Sequence, residues 1–435
     1  MKICSSKDIK IITGAMAAAM LLGGCSQTTV TSNTAAPHND SNDTEIKTEF
    51  NLKDVRTTPY DQELMDAQYN RYCFDLLKQT IKDYGQDGNV MISPASVMMA
   101  LDMVAAGAKG DTLKQITDLF ALDQGPLSQQ AYAAAMMDKI NGAKNVDFSC
   151  ANAVWNNSKL LGDKVNPEYV SYIQETFLAE YNVTAFDDKT PAKINKWVEG
   201  HTNDKIKDLI DNLDPLTVMV LVNAIAFEGK WETPYTKENV REGEFTAFDG
   251  NTQTATFMKE ESTGYYESGK ATGFMKPYKG GEYAFFAILP KDASISANEF
   301  AKNFSAEDYN DLVKSVIKDG KVDTVLPQFK SEFSIILNDT LKNLGVKDVF
   351  EETKADLTGI AGKPGDIYAS RVIHKTFIEV DSNGTRASAA TAVTLRTKGI
   401  EAGAKYSVRC DRPFVYAIVD TKTMTPVFIG TVNQI

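Results

Sequence analysis

Two groups of residues in this 435-residue chain could carry chemistry. The first is a serine–histidine set: Ser93 and Ser96 lie in an apolar stretch, and His374 is one of only three histidines, with His38 and His201. A serine with a histidine can act as nucleophile and base if a third group orients them. The chain has no G-x-S-x-G elbow to present such a serine, so a buried hydrogen-bond network is the better expectation. The second group is the segment 384–398, GTRASAATAVTLRTK, in which Arg396 and Lys398 offer bonds of the kind cut by trypsin-like proteases. Three widely separated histidines make an imidazole metal site improbable, and neither metal nor cofactor is expected. Net charge of −12 argues against nucleic-acid binding.

Segment 384–398 has an internal pattern. As a strand, its side chains alternate between faces. One set is Thr385, Ala387, Ala389, Thr391, Val393 and Leu395, all small or apolar; the other, Arg386, Ser388, Ala390, Ala392, Thr394 and Arg396, carries both arginines. The segment therefore has one buriable face. A Thr/Ala-rich loop that only tolerates proteolysis would share its composition. Between Gly384 and Ala390 it holds no proline, bulky residue or inward charge, any of which would obstruct entry into a sheet.

Several elements must position these residues. Apolar spacing predicts helices over 65–84, 96–106 and 192–210, and strands over 219–227, 283–289, 322–329, 373–380 and 414–419, several apolar on both faces. The expectation is an α+β fold with helices packed on sheets. Upstream, Lys2, Lys7 and Lys10 precede an apolar run from 11 to 22 that ends in LGGC at Cys25. That reads as an export signal, residues 1–24, with Cys25 in a lipobox-like setting where it would be lipidated and anchored in a membrane. An ordinary secretory signal is the alternative. Residues 25–58 are polar and aperiodic, hence a flexible tether. Residues 59–435 show no second linker and are taken as one domain. Of the five cysteines, Cys73, Cys150 and Cys410 remain there, an odd number that argues against a disulfide framework.

The motifs resemble those of the serpin family. NVMISPASVMMAL (89–101) with GAKGDT (107–112) is similar to the serpin segment beneath the main sheet; VNAIAFEGKW (222–231) resembles its third central strand. ADLTG (355–359), His374-Lys375 and DRPF (411–414) complete the set in the family's order. The resemblance implies three β-sheets, about nine helices and an exposed reactive-centre loop. It implies that Ser93, Ser96, Asn223 and His374 form a cluster controlling opening of the sheet, with Trp231 where the loop enters. It implies a hinge at Gly384, Thr385, Arg386, Ala387, Ser388, Ala389 and Ala390. Counting from Gly384 puts the reactive bond at Lys398–Gly399, with Arg396–Thr397 as alternative; a further slip to Leu395 or Thr397 would imply a chymotrypsin- or elastase-like target. About fourteen inserted residues would span about 46 Å. The implied activity is suicide inhibition of a trypsin-like serine endopeptidase by a monomeric, exported protein that is not itself an enzyme. The alternative is a non-inhibitory serpin acting as a surface binding module. Three positions depart from the family: Ser382 and Gln328 stand where many members carry a Glu–Lys pair, and Arg386 replaces the usual acidic residue after the hinge threonine, on the outer face of the alternation.

Overall fold

The computed structural model describes residues 52–85, 88–120, 124–161, 165–214, 216–385 and 404–435. Cys25, Arg386, Ala387, Ser388, Ala389, Ala390, Arg396, Thr397, Lys398 and Gly399 lie outside the described residues.

The longest helix, Gln62–Tyr84, starts at Asp61, whose carboxylate accepts from the Leu64 N–H at 3.0 Å. A second, Pro94–Ala105, is buried on every side. Such a helix must run through the interior, and it passes under a six-stranded sheet. The order of that sheet is Phe329–Ile336, Ala369–Val380, Gly384–Thr385, Met219–Lys230, Val146–Asn157 and Glu180–Thr184. Strands Ala369–Val380 and Met219–Lys230 also pair directly, in parallel, from Ala369 opposite Met219 to Phe377 opposite Ala226.

The other strands form a nine-stranded network with two parts. One part holds Val90–Ile92, Pro426–Val432, Phe414–Asp420, Tyr283–Pro290 and Ala271–Pro277; the other holds Val240–Thr246, Thr252–Glu267, Ile317–Pro327 and Tyr406–Arg409. Among the described residues, the ladder that joins them is the short register of Tyr265, Tyr266 and Glu267 with Phe274, Gly273 and Thr272. The three expected sheets are thus found as two hydrogen-bonded networks, because one long strand bridges the second and third. Ten α-helices and three 3-10 helices complete the α+β fold among the described residues.

Two elements differ from the sequence-based expectation. The helix expected over 192–210 is Thr190–His201. It stops because Asn203 and Asp204 take left-handed backbone conformations, φ 50° and 59°, which these side chains tolerate better than most. The following segment straps the sheet: the Lys207 carbonyl accepts from Lys375 Nζ at 2.6 Å and the Asn212 carbonyl from Arg371 Nη1 at 3.0 Å. The strand expected over 322–329 breaks between Pro327 and Phe329. Proline lacks the ladder donor, and the chain changes sheets there.

Candidate sheet-opening and loop-insertion sites

His374 and Asn223 face each other across the parallel joint, and Asn223 faces Asn152 on its other side. The start of helix Pro94–Ala105 lies beneath this row. The Ser93 N–H donates to His374 Nε2 at 3.1 Å, which leaves the ring proton on Nδ1 to donate to Asn223 Oδ1 at 3.0 Å. Ser96 Oγ donates to the same oxygen at 2.5 Å, and Asn223 Nδ2 donates to Asn152 Oδ1 at 2.8 Å. Ser93 Oγ caps the helix, accepting from the Ser96 N–H, and donates to the Val427 carbonyl at 2.8 Å. The four residues Ser93, Ser96, Asn223 and His374 are at most 2% exposed. Burial pulls the His374 pKa down to about 3, so its ring is neutral at physiological pH.

This geometry suits a latch and not a hydrolase. The lone pair of His374 Nε2 is occupied by a backbone N–H, and neither serine hydroxyl is bonded to the ring. One helix terminus instead grips both sides of the joint: Ser93 holds His374 and Ser96 holds Asn223. A strand entering between Met219–Lys230 and Ala369–Val380 must break the bond from His374 Nδ1 to Asn223.

Trp231 is not part of that cluster; it stands at the far end of the joint, where the two strands have parted. There Gly384–Thr385 is already an antiparallel strand between them, with Thr385 opposite both Val380 and Gly229, and Gly384 opposite Lys230. The turn before it is built on Asp381. One carboxylate oxygen accepts from the Asn383 N–H at 2.6 Å and the Gly384 N–H at 3.0 Å, an Asx-type turn. The Asp381 N–H donates to the Gly384 carbonyl at 2.8 Å. Trp231 receives the turn: its backbone N–H donates to the Asn383 carbonyl and its Nε1–H to the Asp381 carbonyl, both at 2.9 Å. The Tyr235 N–H donates to the Ser382 carbonyl at 2.9 Å.

Close approach explains Gly384, because a Cβ there would lie 2.1 Å from the Gly229 carbonyl oxygen. Thr385 is fully buried, its hydroxyl 2.6 Å from that of Tyr278, which in turn stacks on Trp231 at 4.7 Å between ring centroids. At the two departing positions, Ser382 contributes its carbonyl to Tyr235, and the Gln328 N–H donates to the Thr256 carbonyl at 2.7 Å.

Sequence reasoning missed Asn152, Asp381, Tyr235 and Tyr278. The DSNG sequence at 381–384 carried a turn signal. The tyrosines and Asn152 carried none, since their roles come from strands distant in sequence.

The family model described as Serpin (serine protease inhibitor) matches residues 67–435. The chain is a serpin. It is similar to an uncharacterized serpin-like protein of Methanosarcina mazei, 31% identical over 98% of this chain and 97% of the relative. It is also similar to leukocyte elastase inhibitor A of Mus musculus, 31% identical over 82% of this serpin and 96% of the relative. Among solved structures it resembles native tengpin, a thermophilic serpin, with TM-score 0.79 and 36% identity over 87% of this chain and 96% of that one. Among the described residues of this serpin, no group of three or more His, Cys, Asp or Glu side chains is arranged to hold a metal ion, and no helix is long and apolar enough to cross a membrane.

Proposed function

We propose that this serpin is a suicide-substrate inhibitor of a trypsin-like serine endopeptidase. The observation that supports it most is Gly384–Thr385, which already occupies the slot between Met219–Lys230 and Ala369–Val380 in the register a longer inserted strand would keep. Thr385 faces inward there, as the alternation of the segment requires for Ala387, Ala389, Val393 and Leu395 to follow.

The protease serine attacks the Lys398 carbonyl carbon, forming an acyl ester and releasing the amino group of Gly399. The freed segment then zips in from Thr385 toward His374, breaking the bond from His374 to Asn223 and gaining the backbone pairs of a central strand. The tethered protease is dragged along. Deacylation needs an intact oxyanion hole and triad geometry, so modest distortion stalls it. The carboxylate in a trypsin-like pocket selects Lys398, or Arg396 if the register is two residues shorter.

Incubation with trypsin tests the bond. The expected product is a C-terminal fragment beginning at Gly399, read by mass spectrometry, with loss of trypsin activity near equimolar inhibitor; a fragment beginning at Thr397 moves the bond to Arg396. Cleavage at either bond with trypsin left fully active contradicts inhibition and leaves the surface-binding reading. We further propose that the protein is exported and anchored through Cys25. The mature N-terminus should then have the mass of a lipidated cysteine, and an unmodified N-terminus would contradict the anchor.

A further inference from the structure

The turn Asp381–Gly384 is held by the backbone of Trp231 and Tyr235, and those two rings share one cation. Lys276 Nζ lies 4.1 Å from the Tyr235 ring centroid and 5.7 Å from that of Trp231, while ion-paired with Glu260. Lys276 is 5% exposed, and the Glu260 side chain 20%. A desolvated cation over aromatic faces is held more firmly than one in water. Both partners sit on strands of the nine-stranded network: Lys276 is opposite Phe285, and Glu260 is opposite Thr324. The same strand end is tied to the receiving segment by backbone bonds from Glu232 N–H to the Pro277 carbonyl and from Lys279 N–H to the Lys230 carbonyl.

We infer that Lys276, fixed by Glu260, is a positioning residue for loop insertion: it clamps Trp231 and Tyr235 so that their donors keep the Asp381–Gly384 turn formed. In this chain the charged pair that many relatives carry beside the hinge is absent at Ser382 and Gln328. The buried pair Lys276–Glu260, acting through two aromatic rings, supplies a fixed charge instead. The turn with Gly384 and Thr385 comprises the first pairs of the inserted strand. Keeping those pairs formed removes the nucleation step from each insertion, and releasing the clamp lets the turn fray, so insertion slows against deacylation.

This inference rests on the inhibitory reading, and the test separates the two. With trypsin, Lys276→Met should raise the number of inhibitors cleaved per complex formed about tenfold, the loss of one desolvated cation–π clamp, with the association rate unchanged. Lys276→Arg should restore trapping close to wild type. Glu260→Gln, which keeps an acceptor but removes the counter-charge, should give about a threefold rise and decides the matter if Lys276→Met does not fold. If Lys276 only fills the core, both variants lower the melting temperature of the intact protein and leave the partition unchanged, which overturns the inference alone. If wild type is cleaved and never traps trypsin, the inhibitory reading and this one fall together.

Discussion

On the proposed trapping mechanism, replacing Thr385 by arginine is expected to turn the protein from inhibitor into substrate. Thr385 is fully buried between Val380 and Gly229 and shares a 2.6 Å hydrogen bond with Tyr278. An arginine there must either bury its guanidinium among Trp231, Tyr278 and the strand backbones, costing several kcal/mol, or keep the first inserted residue out of the sheet. Every ~1.4 kcal/mol added to the insertion barrier slows that step tenfold. Deacylation depends on the protease and is unaffected. A cost of about 3 kcal/mol therefore shifts the partition toward cleavage by about a hundredfold. Thr385→Val keeps the shape and loses only the bond to Tyr278, which is made before cleavage and kept on insertion, so it should leave the partition close to wild type. Titration of trypsin with each variant reads both numbers; equal partition for Thr385→Arg and wild type would contradict insertion at this residue.

The second large effect concerns acid. His374 has its pKa lowered from 6.5 to about 3 by burial. Between those values the unfolded chain binds a proton that the folded chain refuses. The folded state thus keeps its full advantage above pH 6.5 and loses about 1.4 kcal/mol for each pH unit below it, roughly 4 to 5 kcal/mol in all. A proton on Nε2 would also displace the Ser93 N–H and release the helix from that side of the joint. Asp102 opposes the trend: its carboxyl is buried, accepts from Gln129 Nε2 at 2.6 Å, and has a raised pKa, so its contribution is lost as pH rises through and above the usual carboxylate range. Comparison with His374→Gln isolates the histidine, because Asp102 is common to both. Below pH 6.5 the wild-type melting temperature should fall more steeply than that of the variant, and parallel curves would contradict a neutral buried His374.

The five serpin motifs made the fold legible because each is a local run whose residues are dictated by packing: SPAS at a helix start, VNAIAF as a strand buried on both faces. The inward side of the loop was legible at Thr385, since strand alternation is a backbone property. Where the helix beyond His201 ended was hidden, because Ile206, Leu209 and Ile210 continue an apolar rhythm while packing on the sheet as a strap. Trp231 and Tyr235 are core aromatics whose donors also hold the turn, and Tyr278 bonds Thr385, roles that only the assembled sheets reveal. Lys276 carried no signal either. Its burial depends on Glu260 and on rings some forty residues upstream, a pairing without a local signature.

The central claim is that cleavage is followed by insertion faster than by deacylation. It is tested most directly by mixing the intact protein with trypsin and resolving the mixture on a denaturing gel after boiling in detergent. The expected result is a covalent band at the summed mass of trypsin and the inhibitor cut in its loop, with the uncomplexed cleaved inhibitor melting far above the intact form. Cleaved inhibitor alone, with no covalent band and an unchanged melting temperature, would contradict it.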